Sequence, residues 1–247
     1  MKLIILFFAF MNTFLSAPEK ADQNYYELRT YHCHPGKLND LIARFQNHTT
    51  KIFENHGMKN IGYWLPTAAD NNDLVYMLSY PSKAAREQSW KDFSADPEWK
   101  KVQSESEANG KIVASVESVF LNAEDFSPKI KKSIKSTART FELRIYSCYP
   151  GKFPDIEKRF KEHTMKIFKS HDITNIAYFK SMEKDGGQSK LVYMIAHANE
   201  EAAKKSWDAF RADPEWIKVK DASEVNGKIV ENVKSVMMKP LSFSKYQ

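Results

Sequence analysis

Tyr26-Glu27-Leu28-Arg29-Thr30-Tyr31, followed by Pro35-Gly36-Lys37, returns 115 residues later as Phe141-Glu142-Leu143-Arg144-Ile145-Tyr146 and Pro150-Gly151-Lys152. This recurrence decides the fold, because an internal repeat defines the unit that has to fold. From Tyr26 to Pro66 the copies align without a gap and share 20 of 41 residues. The match resumes with Leu74-Val75-Tyr76-Met77 and Leu191-Val192-Tyr193-Met194, now offset by 117. The two added residues fall around Lys184-Asp185-Gly186-Gly187, a turn-rich stretch where a longer loop costs little. Asp96-Pro97-Glu98-Trp99 and Asn109-Gly110-Lys111-Ile112-Val113 recur as Asp213-Pro214-Glu215-Trp216 and Asn226-Gly227-Lys228-Ile229-Val230. The chain is a tandem duplication.

Periodicity orders the elements within one unit. Tyr25 to Cys33 alternates, with Tyr25, Glu27, Arg29, Tyr31 and Cys33 on one face and Tyr26, Leu28, Thr30 and His32 on the other, as a strand requires. Pro35-Gly36 stops it. From Lys37 to His56, apolar residues recur at three- and four-residue steps and predict one amphipathic helix. Ile61–Leu65 and Leu74–Tyr80 read as two strands joined by a polar loop. Ser82 is placed to cap a helix reaching Phe93, and Asp96-Pro97 to open a second short one. Ile112–Leu121 closes the unit as a strand. The order β-α-β-β-α-β predicts an α+β fold of two ferredoxin-like units. Each four-stranded sheet has helices on one face and leaves the other apolar. Two such sheets therefore pack together, predicting a pseudo-dimeric α+β barrel within the chain or one closed between chains. The units span residues 24–124 and 139–240, with a lysine-rich linker at 125–138.

Composition limits the function classes. Hydrophobic residues make up 42% and charged residues 28%, an ordinary globular balance. The net charge of +6 comes from 37 basic residues interspersed with 31 acidic ones. With no like-charge block, nucleic acid is not expected as a partner. Met1-Lys2, an apolar run from Leu3 to Phe10 and a small-residue exit at Ser16-Ala17 read as a signal segment, residues 1–17. Export to the periplasm or medium follows as the expectation, with no stable membrane span after cleavage. Pro18 is a poor residue after the cut and leaves an uncleaved anchor open. Cys33 and Cys148 occupy equivalent positions and lack partners at metal-ligand spacing, so no metal site is expected.

The quoted strand motif and its Pro-Gly-Lys turn, with Trp90 to Phe93 before Asp96-Pro97-Glu98-Trp99 and Trp207 before Trp216, resemble the NIPSNAP family over nearly everything after residue 24. The resemblance implies the dimeric α+β barrel superfamily, whose other members include small monooxygenases and haem-binding enzymes. It assigns no reaction, since function resides in sites rather than folds.

Polar residues kept in both copies on faces that should be buried form the candidate pocket: Arg29, His48, His56 and Tyr63, with Arg144, His163, His171 and Tyr178. At about 100° per residue, Thr49 and His56 fall inside the apolar stripe and His48 on its edge. A helix-terminal histidine complementing the dipole is the plainer reading of His56; a pocket that binds a small polar ligand or moves a proton is the functional one. His48 and His56 lie about 12 Å apart along a helix and cannot chelate one metal. Arg29 shares a face with Glu27, giving a structural ion pair or a clamp for an anion. The tyrosines and the tryptophans Trp90, Trp99, Trp207 and Trp216 read first as packing. No phosphate loop, hydrolase elbow or zinc motif is present. Two functions remain: a barrel module binding a small molecule or a protein, with homo-oligomerisation left open, or a small oxidoreductase of monooxygenase type using the helix–sheet cavity. No cofactor is expected under the first; haem enters only under the second.

Overall fold

The alternation in the opening strand sorts its side chains between two environments. In β1 (Tyr25–Cys33), Tyr25, Tyr31 and Cys33 join a core beneath the helices, while Tyr26 and Leu28 join a second core inside a barrel. The computed structural model describes residues 24–130, 139–182 and 187–246. The expected signal segment, most of the expected basic linker and residues 183–186 lie outside the described residues.

The first unit continues with α1 (Leu38–Arg44), α2 (Thr50–Asn55), β2 (Lys59–Pro66), β3 (Asp73–Tyr80), α3 (Lys83–Ala95), α4 (Pro97–Ser106) and β4 (Val113–Ala123). The second runs β5 (Thr140–Cys148), α5 (Phe153–Arg159), α6 (Met165–Ser170), β6 (Thr174–Ser181), β7 (Leu191–His197), α7 (Glu200–Ala212), α8 (Pro214–Ser223) and β8 (Val230–Pro240). Local chemistry sets the boundaries. The Ser82 hydroxyl accepts from Ala85 N at 3.1 Å, and Asp96 accepts from Glu98 N at 2.6 Å with Pro97 at the first helical position.

The helix expected from Lys37 to His56 is not continuous. A π-helical turn, Phe45–Thr49, separates α1 from α2, and Phe160–Thr164 does the same in the second unit. The wider turn carries an extra residue, which the buried Thr49 accommodates by donating its hydroxyl to the Arg44 carbonyl at 3.2 Å. Thr164 repeats this with Arg159 at 3.1 Å.

The eight strands close into one barrel in the order β1-β3-β2-β8-β5-β7-β6-β4. Each half is a ferredoxin-like sheet, and the halves join where β2 pairs β8 and β4 pairs β6. The strand edges that two separate chains would pair are thus paired within one chain. All neighbours are antiparallel, so β1 and β5, four places apart, run the same way. The pseudo-twofold axis relating the copies therefore lies along the barrel axis, and equivalent residues occupy the same end on opposite walls. One end is plugged by aromatics: Tyr26 meets Phe179 at 5.1 Å, Trp64 meets Phe141 at 5.8 Å, and Tyr246 packs on Phe141 at 6.0 Å. Two further cores lie between each sheet and its helices. Among the described residues no helix is long and apolar enough to cross a membrane.

Candidate functional site

Glu27 and Glu142 are almost fully buried carboxylates, which are costly unless saturated with donors. Glu27 receives Arg29 at 2.5 Å, Arg86 through two bonds of 2.8 and 3.0 Å, Trp90 Nε1 at 3.0 Å and the Tyr80 hydroxyl at 3.2 Å. In the second unit His197 replaces Tyr80 and Ala203 replaces Arg86. Glu142 there receives Arg144 at 2.5 Å, Trp207 at 2.7 Å, Ser235 at 2.7 Å and His197 at 3.1 Å. Burial by itself raises such a carboxyl, but these donors outweigh it and hold Glu142 down to about 2. Glu27 is lowered in the same way by Arg86 and Arg29. Arg29 and Arg144 also lie over the Trp90 and Trp207 rings at 4.4 Å. Both arginines are committed to internal partners.

The other candidates are dispersed. His56 Nε2 lies 2.6 Å from Asp96, the cap of α4, and His171 lies 2.6 Å from Asp213, the cap of α8. Each ties the end of one helix to the start of another, α2 to α4 and α6 to α8. The π turns carry His48 and His163, placed on the stripe edge by a regular-helix projection, out to the exposed surface. The Tyr63 and Tyr178 hydroxyls donate to Asn60 and Asn175 inside the cores. Arg29 connects to Tyr63 only through the Tyr31 and Tyr76 rings. A cleft of about 490 Å³ does lie beside Arg144, between β5 and the α7–α8 pair, lined by Trp207, Phe210, Trp216 and Lys220.

A larger cavity lies in the barrel, which the sequence reading did not single out. It measures about 620 Å³ and opens at the end opposite the aromatic plug. Leu28, Val75, Val119, Leu143, Ile145 and Val236 form its apolar wall. Above them stand His32, Asp73, Glu117 and Lys234, with the β2–β3 loop at one side. His32 Nδ1 lies 2.7 Å from Asp73, and Nε2 lies 3.5 Å from Glu117. Among the described residues, no group of His, Cys, Asp and Glu has the geometry to hold a metal, this one included. The signal that finds the site is divergence between the copies. Down the wall the pairs Leu28/Leu143, Val75/Val192, Met77/Met194 and Val119/Val236 are matched. At the mouth His32, Asp73 and Glu117 correspond to Ser147, Lys190 and Lys234.

Cys33 and Cys148 are buried free thiols, pushed up to about 11 by that burial. They are not bridged, and a raised, buried thiol stays protonated rather than forming the nucleophilic thiolate.

Comparison with known proteins gives the architecture its relatives. A protein provisionally named a monooxygenase from Lactobacillus acidophilus NCFM superposes with a TM-score of 0.56 at 12% identity, covering 88% of this chain and 94% of its own. A similarly named protein from Fusobacterium nucleatum subsp. nucleatum gives 0.58 at 9%, covering 89% and 93%. An anthrone oxidase-like protein gives 0.57 at 11%, covering 92% and 95%. At these identities the likeness concerns the fold alone. No curated protein matches the sequence. The NIPSNAP family model matches twice, at residues 26–128 and 141–245, one match for each half of the barrel. The chain belongs to the NIPSNAP family, as two of its domains in tandem.

Proposed function

We propose that this protein is a small-molecule-binding barrel that acts outside the cytoplasm and takes its ligand into the barrel mouth. The observation that carries the reading is the cavity of about 620 Å³, apolar at depth and polar at the rim, the usual form of a small-molecule site. Export is carried by the N-terminal segment from Met1 to Ala17. The test is titration with 1-anilinonaphthalene-8-sulfonate, a dye that fluoresces on entering apolar cavities. The expected result is one site per chain that is lost in Ile145→Trp, where an indole fills the cavity. Absence of dye binding, or binding unaffected by that substitution in a folded protein, overturns the proposal.

A monooxygenase-like reading is favoured by the cleft beside Arg144 and by the names of the structural neighbours. It has less support because Arg144 is already spent on Glu142 and on the Trp207 ring. Haem does not fit the residues present. Of the seven histidines, His56, His171, His197 and His32 are held by carboxylates, while His34, His48 and His163 are exposed on the surface. His197 keeps a buried, unpartnered Nδ1, but it is packed beside Glu142 and lines neither the barrel cavity nor the Arg144 cleft, so it presents no axial nitrogen to either space.

A further inference from the structure

The mouth carries opposite charge on its two walls. Glu117 on β4 and Lys234 on β8 are pseudo-twofold mates, and β4 and β8 stand four places apart in the eight-stranded ring. The two residues therefore face each other across the mouth. Around Glu117 the same arc carries Asp73, with His32 between the carboxylates. The facing arc carries Lys234, with Lys190 at the position equivalent to Asp73. Below them the wall pairs Leu28/Leu143, Val75/Val192 and Val119/Val236 have kept their apolar character, while Ile145 stands where the first copy has Thr30. Among the residues that line the cavity, opposite charge at equivalent positions stands at the rim, which a ligand's polar end would meet.

The two arcs do not satisfy each other. Among the described residues, the ion pair of Glu117 is with His32, and Lys234 has no ion pair or hydrogen bond although it lines the cavity. A lone ammonium facing an acidic arc across an apolar shaft offers a site for each end of a dipole.

We propose that the barrel mouth recognises an amphipathic zwitterion. Its apolar body enters between Leu28 and Leu143, its cationic group faces Glu117 and Asp73, and its anionic group faces Lys234. This rests on the cavity reading above and adds the ligand's chemical class. An uncharged apolar ligand would use the wall and ignore the rim. A simple fatty anion would gain Lys234 but meet Asp73 and Glu117.

Three probes with the same ten-carbon chain separate these outcomes: decyldimethylammonio-propanesulfonate, decyltrimethylammonium and decanesulfonate. Each is titrated calorimetrically into the full chain at low salt, below its micelle concentration. The zwitterion is expected to bind most tightly, by about fivefold over either ion, the scale of one partly exposed charge contact. Lys234→Glu shifts preference to the cationic probe, and Glu117→Lys to the anionic one. Both substitutions are at exposed rim positions, and circular dichroism confirms folding. Equal binding of all three probes, unmoved by either substitution, overturns the zwitterion assignment and leaves the cavity reading standing. No binding by any probe, with Ile145→Trp indistinguishable from the parent, overturns both.

Discussion

The buried carboxylate of the second unit provides a quantitative test of how the fold is held. Glu142 titrates near 4.5 in an unfolded chain and at about 2 in the fold, where hydrogen bonds from His197 and Ser235, then the Arg144 charge and Trp207, overcome the burial penalty. Because the folded value is depressed, its stabilisation is present above the unfolded value and is lost as pH falls towards 2. The difference corresponds to about 3 kcal/mol at pH 7 and about 1 kcal/mol at pH 3. Glu142→Gln should therefore cost about 3 kcal/mol at pH 7, in line with breaking a buried pair and stranding Arg144. That cost appears as a fall in Tm of roughly 6–12 °C for a domain of this size. The gap between parent and variant should narrow by about 2 kcal/mol on going to pH 3. Urea unfolding followed by tryptophan fluorescence at pH 7, 5 and 3 measures it. Comparing parent with variant at each pH cancels every other carboxyl that titrates over the range. A gap that stays constant with pH would mean that Glu142 is not ionised in the fold, and the account of the network would fail.

Three further outcomes are expected. Gly62 stands at a bulge in β2 with the Trp64 ring packed so closely that an added Cβ would collide with it, whereas the second unit pairs Ala177 with the smaller Phe179; Gly62→Ala should cost about 1–3 kcal/mol by overpacking, and adding Trp64→Phe should recover part of it in a double-mutant cycle. Asp96→Ala removes both the α4 cap and the partner of His56, and should lower Tm by about 2–4 °C, with Asp96→Asn recovering much of that loss through its preserved cap. Glu124 is raised to about 7 by burial and by the neighbouring Glu157 carboxylate, so its ionisation destabilises the fold as pH rises above 4.5; with solvent screening taking part of the effect, Glu124→Gln should gain about 1–2 kcal/mol at pH 8 and nothing at pH 4, read from urea midpoints at the two pH values.

Sequence alone reached the repeat unit and its element order because those depend on local chemistry. The alternation through Glu27 and Arg29, the Ser82 cap and the Asp96-Pro97 start are each visible within a few residues and hold in the structure. The π turn was not visible, because Phe45 to Thr49 has no residue that forbids a regular helix. Its extra residue is accommodated by tertiary packing and by the Thr49 hydroxyl, and it changes which face His48 occupies. The shared polar residues marked the Glu27–Arg29 and His56–Asp96 contacts, which hold together sheet and helices in both halves. Ancestry and packing are enough to preserve such residues. The mouth was missed for the opposite reason: His32, Asp73 and Glu117 differ between the copies, and nothing local says that they meet. Only the strand register, Thr30 opposite Glu117 and His32 opposite Asp73, brings them together.

This difference bears on what duplication does for a barrel of this kind. When two identical chains close the barrel, the twofold axis places the same residue on both arcs of the mouth. A glutamate at position 117 would then face a glutamate, and the two arcs of the rim would carry the same charges. Joining the copies in one chain removes that restriction while leaving the packing requirement intact. The wall layers have to interdigitate across the axis, so their apolar character persists in pairs such as Val119 and Val236. The rim is wet and packs against little, so a charge change there costs little stability and is free to follow a ligand. A polar mouth with unlike arcs is thus a feature that a symmetric dimer cannot build. Stability should accordingly be insensitive to Glu117 and Lys234, and sensitive to Val119 and Val236. Finding instead that the rim charges stabilise the fold, by about as much as Glu142 does, would make them structural and remove the reason for placing a ligand there.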